Sequence, residues 1–475
     1  MERATLEAPG GSRAATLAAA AIVVGTAIAI GQLAPLDYDE TVFFGIAREI
    51  TRVGCPIRPE GAGTTFLNNP PLVCYATALA STLGTMWPWL RLAHALLWTS
   101  LLCVGVGRWA RDEGRGAAAL AIALLLAQPL FLREAALAKL DVPLAAIAAL
   151  HLASAKDVIA RDHSSRALVL TAALAVLVRY QGVLLACTSA PILWFAGRRR
   201  AAVLSLVGAA IGALSWLALA TACGGDLLDA FFRNSARLAA ADTEPWFRRS
   251  LPIFWRDLAG AVGPTTLVAA AIAIALRGRT LAQRPALVLA LAWLAVNLAF
   301  CSAIALKAER YFMPAFAAIA VLASSLPDAI ATKASTRAAR WSALGLLLAA
   351  LVNATAVLLY PRPTELNDHY ARVAARIDAM IDREARVLLP YAQVAWLADR
   401  HYVISLFEPD AQRLLARLRD PNERIELVIR DARIAAFHPE LDPIGRAAID
   451  DYLAQHFERV ETDLEGTSMV RRISY

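Results

Sequence analysis

Apolar stretches of about 20 residues recur along this chain with almost no charge inside them. A helix rises about 1.5 Å per residue, so a run of that length crosses a hydrocarbon core of roughly 30 Å. Of the 475 residues, 58% are hydrophobic and 18% charged, against about 25% charged in a soluble domain. This excludes a soluble enzyme built around one large core. It predicts a mainly α fold, a polytopic transmembrane bundle. The net charge of +7 is not a nucleic-acid signal, because excess Lys and Arg in a membrane protein mark cytoplasmic loops. The first partner implied is the lipid bilayer, and no nucleic-acid partner is expected.

Eleven spans are predicted, at about 14–34, 89–109, 116–132, 142–155, 167–180, 182–196, 201–222, 259–276, 285–306, 312–326 and 341–359. The first has no small-residue cleavage site near its end, so it reads as a retained helix. The segments that fall inside, if the N-terminus is cytoplasmic, carry seventeen basic residues against seven acidic ones. Among them are Arg108, Arg111, Lys156, Arg161, Arg277 and Arg284. This asymmetry places the N-terminus in the cytoplasm and the C-terminus outside, in a multi-pass plasma (inner) membrane protein. Residues 71–86 are also apolar, but counting them as a span would invert every later loop. They read as a juxtamembrane helix on the outer surface, and 40–52 as a short amphipathic helix in the same loop.

Pro361 and Pro363 mark a change in composition, after which charge rises. Two domains follow from this: 1–360 in the membrane and 361–475 as a small extracytoplasmic α/β domain, periplasmic or extracellular. In the latter, 387–389 and 425–429 read as strands, and 366–384, 409–419 and 444–457 as helices. It holds no Gly-rich phosphate loop and no evident catalytic constellation. The six cysteines form no CxxC pair. Cys55 and Cys74 share the first outer loop, where an oxidising compartment would let them pair. Cys and His show no zinc-ligand spacing, so no metal site is expected.

Four polar groups converge on the outer face under this topology. They are Asp37, Asp39 and Glu40; Arg133, Glu134, Lys139 and Asp141; Arg179, Tyr180 and Gln181; and Lys307, Glu309, Arg310 and Tyr311. Charges held at the edge of hydrocarbon are costly unless solvated or used. Carboxylates can take a proton from an attacking hydroxyl. Arg and Lys can hold a phosphate and stabilise the charge that develops as it leaves. The competing structural readings are helix capping for Asp39 and Asp141, snorkelling for Arg179, and pairing of Glu309 with a neighbouring base. His94 and His151 read as packed core residues.

The order of these groups resembles the GT-C glycosyltransferases. Asp39-Glu40-x-x-Phe43 is similar to their Asp-Glu-x-x-Tyr element after the first span, with Phe43 in place of Tyr. Asn69-Pro70-Pro71-Leu72 resembles the start of their juxtamembrane helix, and Leu90-Arg91-Leu92 their Arg-Leu at the second span. Asp141-Val142-Pro143-Leu144 resembles their second acidic motif, and Arg310-Tyr311-Phe312-Met313-Pro314 their late Tyr-x-x-Pro. Nearest in style are the bacterial lipid A aminoarabinose and galacturonic acid transferases and the protein O-mannosyltransferases.

The resemblance implies an inverting transferase that takes a sugar from a polyprenyl-phosphate donor on the outer face. Its acceptor would be a lipid, glycan or protein hydroxyl. Asp39, with Glu40 beside it, would supply the general base, and Asp141 the second acid. Arg179, Lys307, Arg310 and Lys139 would bind the lipid phosphate. No cofactor beyond the donor is firmly implied; a divalent cation is compatible with the family, but no ligand set argues for one. A transporter or flippase for an anionic lipid or glycan is the alternative, and an O-acyltransferase would need a partnered membrane histidine.

Overall fold

The computed structural model describes Gly25 and residues 36–473, apart from 58–64, 68, 115, 136, 162–164, 229–231, 233–249, 305–308, 360–364, 383, 390–391, 399–401, 405–410, 432–442 and 461–466. The expected first span apart from Gly25, Lys307, and most of the outer segment 223–258 with Trp246 lie outside the described residues. The chain forms two compact units. One holds the described residues of Leu67–Ala76 and Thr82–Pro361; the other those of Ala34–Phe66, Thr77–Ser81 and Arg362–Tyr475.

The first unit is a polytopic helical bundle. Six helices among the described residues are long and apolar enough to cross a membrane, and seven if one bent pair counts as a span. The eleven expected crossings are therefore not matched one for one. The helices Arg166–Val178 and Val183–Phe195 have 13 residues each, only about 20 Å of rise. The expected span 116–132 is two helices, Ala117–Leu126 and Pro129–Glu134, because Pro129 has no amide to continue the ladder. The expected span 259–276 straddles a 94° bend between Leu251–Val262 and Pro264–Arg277. Gly263 makes that corner at φ +91°, a backbone region that only glycine occupies readily.

Charged residues from separate loops meet at one end of the bundle. The Lys156 ammonium, 2% exposed, donates to the Arg108 carbonyl at 2.6 Å and to Asp112 at 2.9 Å. Arg108 pairs with Asp157 at 3.0 Å, Arg277 with Asp328 at 2.7 Å, and Arg284 with Glu113 at 3.1 Å. These are residues of the segments predicted to face the cytoplasm. Within the bundle, His151 does not simply pack among apolar groups. Its ring nitrogens bond Thr171 Oγ1 at 2.9 Å and Ser189 Oγ at 2.8 Å, and Ser205 lies 3.3 Å away. It is fully buried, so this partnered histidine ties four helices together and is closed to an acyl substrate.

The second unit contains a small α/β domain. Its five-stranded sheet has the order β2-β1-β3-β5-β4, with β1 Arg386–Leu389, β2 Tyr402–Ile404, β3 Ile425–Asp431, β4 Phe457–Val460 and β5 Thr467–Arg472. β1 is parallel to β2 and β3, whereas β5 is antiparallel to both β3 and β4. Helices Ala411–Arg419 and Pro443–His456 cover it. Leu388, Leu418, Val428, Ile449, Leu453 and Phe457 form its core. The same unit includes helix Tyr38–Val53. Cys74 is a free, buried thiol, so the Cys55–Cys74 pair that an oxidising side would allow does not form. Cys55 is disulfide-bonded.

Candidate functional site

In the membrane unit, Asp141 opens helix Asp141–Arg161 and is 4% exposed. A carboxylate in the first turn is favoured by the unpaired amides and the positive end of the helix dipole. Arg179 follows helix Arg166–Val178 in extended conformation, φ −159° and ψ 144°, which ends the helix there. A 3-10 turn, Tyr180–Gly182, then leads into helix Val183–Phe195. A Cβ on Gly182 would lie 2.1 Å from the Ala175 carbonyl oxygen. Only glycine permits so close a return, which is how the chain accommodates so short a gap between these helices.

This break aims the Arg179 guanidinium at Asp141, and the two form an ion pair. Both side chains are largely buried, 15% and 6% exposed. Arg179 Cζ also lies 4.5 Å from the centre of the Tyr311 ring, and Arg310 Cζ 5.6 Å from the same ring. Cation–π contacts of this kind contribute about 0.5–2 kcal/mol, more as water is excluded. Next in sequence, Lys139 Nζ meets Glu134 Oε2 at 2.9 Å, with Lys139 only 5% exposed. Burial pushes the Glu134 carboxyl up, but the positive charges of Lys139, Arg310 and Arg133 outweigh it and hold it below its ordinary 4.5. The site therefore gathers cations while matching some of them to carboxylates.

A buried amide relay holds the Tyr311 segment in place. Gln181 Nε2 donates to Asn297 Oδ1 at 3.1 Å and to the Tyr311 carbonyl at 3.3 Å. Asn297 Nδ2 donates to the Trp293 carbonyl at 2.8 Å, and Trp293 Nε1 to the Pro314 carbonyl at 2.8 Å. Sequence reasoning missed Asn297 and Trp293. The available signal was a lone Asn in an apolar span, where a polar group must find a partner.

Asp39 and Glu40 lie in the second unit, in the first turn of helix Tyr38–Val53. Asp37 caps this helix: its Oδ1 accepts from the Asp39 amide at 3.0 Å, while Glu40 Oε2 accepts from the Asp37 amide at 3.3 Å. The cap is thus Asp37, not Asp39. Glu40 is fully buried and closes this reciprocal box, whereas Asp39 is half-buried. Among the described residues, no group of three or more carboxylate, imidazole or thiol side chains is arranged to hold a metal ion.

No family model matches the sequence, and no curated protein matches it. Solved structures do. The crystal structure of ArnT from Cupriavidus metallidurans bound to undecaprenyl phosphate aligns with a TM-score of 0.64 at 17% identity, over 98% of this chain and 99% of that one. The apo form gives 0.63 at 18% identity over the same shares. The Archaeoglobus fulgidus oligosaccharyltransferase in complex with Zn and sulfate aligns with a TM-score of 0.57 at 14% identity, over 96% of this chain and 73% of that one. At such identities the likeness is one of fold, and it runs along almost the whole chain: this protein shares the fold of these solved structures.

Proposed function

We propose that this protein is an inverting membrane glycosyltransferase that moves a sugar from a polyprenyl-phosphate donor to a hydroxyl of a lipid, glycan or protein acceptor outside the plasma membrane. The observation that carries this reading is Arg179, held between Asp141 and the Tyr311 ring, in a fold shared with ArnT, which was solved bound to undecaprenyl phosphate. A rigid, partly desolvated guanidinium suits a lipid phosphate far better than a mobile surface charge does. Arg310, Lys139 and Lys307 are proposed as further phosphate ligands.

In the proposed reaction, the acceptor oxygen attacks the anomeric carbon. The bond from that carbon to the phosphate oxygen breaks, and polyprenyl phosphate leaves with its electron pair. Asp39 takes the acceptor proton, with Glu40 fixing the helix turn that carries it. Asp141 orients Arg179 and contributes the second acid. Arg179 and its neighbouring cations stabilise the charge that builds on the phosphate. Among the described residues, the carboxylates do not converge into a ligand set for a divalent cation.

The proposed orientation keeps the N-terminus in the cytoplasm and the C-terminal domain outside. Two observations support it. The ion pairs of Lys156, Arg277 and Arg284 tie together segments that the basic-over-acidic excess assigns to the cytoplasm. Cys55, which is disulfide-bonded, belongs to a loop assigned to the oxidising side.

The test uses purified protein in lipid, supplied with extracts of polyprenyl-phosphate sugars and membrane acceptors. Wild type should release polyprenyl phosphate, and Asp39→Asn and Arg179→Met should lose at least a hundredfold in rate while remaining folded. No release from any donor, with the lipid still bound, would move the assignment to a transporter or flippase.

A further inference from the structure

The C-terminal domain carries no catalytic constellation of its own. Its packing within the second unit gives it a task. Helix Tyr38–Val53 has 16 residues, close to the length at which an isolated helix is marginal in water. It keeps its place by burying Val42, Phe43, Phe44, Ile46, Ala47 and Ile50, each 8% exposed or less.

Part of that cover comes from helix Ala392–Leu397. The Trp396 ring lies 5.3 Å from Phe44, centre to centre, tilted by 44°. Gln393, 7% exposed, donates from Nε2 to the Leu36 carbonyl at 3.3 Å. Leu36 is itself 3% exposed and immediately precedes the Asp37 cap. The helix that carries Gln393 follows β1, which is hydrogen-bonded on both edges, to β2 and β3, and Val394 is fully buried. A continuous path therefore runs from an inner strand of the sheet, through Gln393 and Trp396, to the turn that holds Asp39.

Resting on the proposal that Asp39 is the base, we infer that Gln393 and Trp396 are positioning residues for it, and that the C-terminal domain serves the reaction by fixing where that carboxylate sits. The two contacts divide the work. The Gln393 amide holds the backbone three residues before Asp39, which sets the position of the helix start. Trp396 packs on Phe44, one turn further along, which sets the direction of the helix axis. Misplacing a reacting group by about 1 Å can cost as much as a hundredfold in rate, so neither contact needs to touch substrate to matter.

The test uses the full chain in lipid, with Gln393→Met, Trp396→Ala and Trp396→Phe. Met matches Gln in length but cannot donate, and Phe retains an aromatic face for Phe44. Hydrogen exchange is read for the peptide covering 36–46. It should quicken about tenfold in Gln393→Met and Trp396→Ala and stay near wild type in Trp396→Phe, while strand β3 keeps its protection. Polyprenyl phosphate release from the lipid extract should fall about tenfold in kcat with KM within twofold, and Trp396→Phe should restore it. Unchanged protection of 36–46, or an unchanged kcat in both disruptive variants, would overturn the inference while leaving the proposed reaction standing. Wild-type release by Asp39→Asn would instead remove the base assignment, and the inference with it.

Discussion

Asp141 and Arg179 begin and end different helices, 38 positions apart in sequence, and meet as a largely buried ion pair. Breaking such a pair from one side leaves a desolvated charge and costs about 3–5 kcal/mol, while removing both partners costs much less. Asp141→Leu and Arg179→Met should therefore each lower the thermal midpoint clearly. The double variant should fall short of the sum by about 1–3 kcal/mol of coupling. A strictly additive cycle, measured by unfolding in detergent, would show that the pair is not an energetic unit.

Gln181 and Asn297 should behave as one relay. Replacing either by Leu strands its partner's polar atoms in a buried site, at about 1–3 kcal/mol. The double replacement should cost less than the two single ones together. The same cycle read on donor release should show the rate falling with either single change, because the Tyr311 segment loses its anchor.

Gly182→Ala should prevent normal folding or assembly of the bundle, since its Cβ would sit 2.1 Å from the Ala175 oxygen and 2.7 Å from the Val176 nitrogen. Gly345→Ala is the control, because nothing lies within 4 Å of the added carbon. It should be neutral or stabilising by up to about 1 kcal/mol. Monodispersity by size-exclusion chromatography separates the two outcomes.

Glu134 gives a pH prediction with a definite sign. Its folded carboxyl titrates below its ordinary 4.5. The stability it contributes is complete above that ordinary value and is lost as pH falls through the lower folded one. Thermal midpoints of wild type should hold from pH 7 to 5 and drop below 4.5. Glu134→Gln should start lower and show a shallower acid limb. Parallel acid limbs would remove Glu134 from the account.

Orientation can be read with a membrane-impermeant thiol reagent on intact cells. A cysteine at Lys333, exposed at the end of helix Leu326–Lys333, should stay unlabelled until the cells are opened. One at Glu384, whose side chain is 82% exposed, should label at once. The reverse pattern would invert the proposed topology.

Strands 387–389 and 425–429 and the helix near 40–52 were legible from sequence because each carries its own local pattern. The remaining strands of the sheet were not: β2 has three residues, β4 is half polar and β5 mostly polar. Hydropathy likewise located Arg166–Val178, Pro285–Ala303 and Thr336–Leu359 but missed the 94° bend inside 259–276, since apolarity does not report where a ladder breaks.

What the sequence determined by itself is the solvent of this protein and the depth of its charges. Apolar runs commit segments to lipid, and Asp141, Arg179 and Arg310 are readable as residues at the ends of such runs. What only the tertiary structure decided is which of these charges meet. Hydropathy fixes height along the membrane normal but carries no information about direction around it. That direction came from the extended backbone at Arg179, the close backbone approach that Gly182 permits, and the amides of Gln181 and Asn297, which together turn Arg179 toward Asp141 and Tyr311.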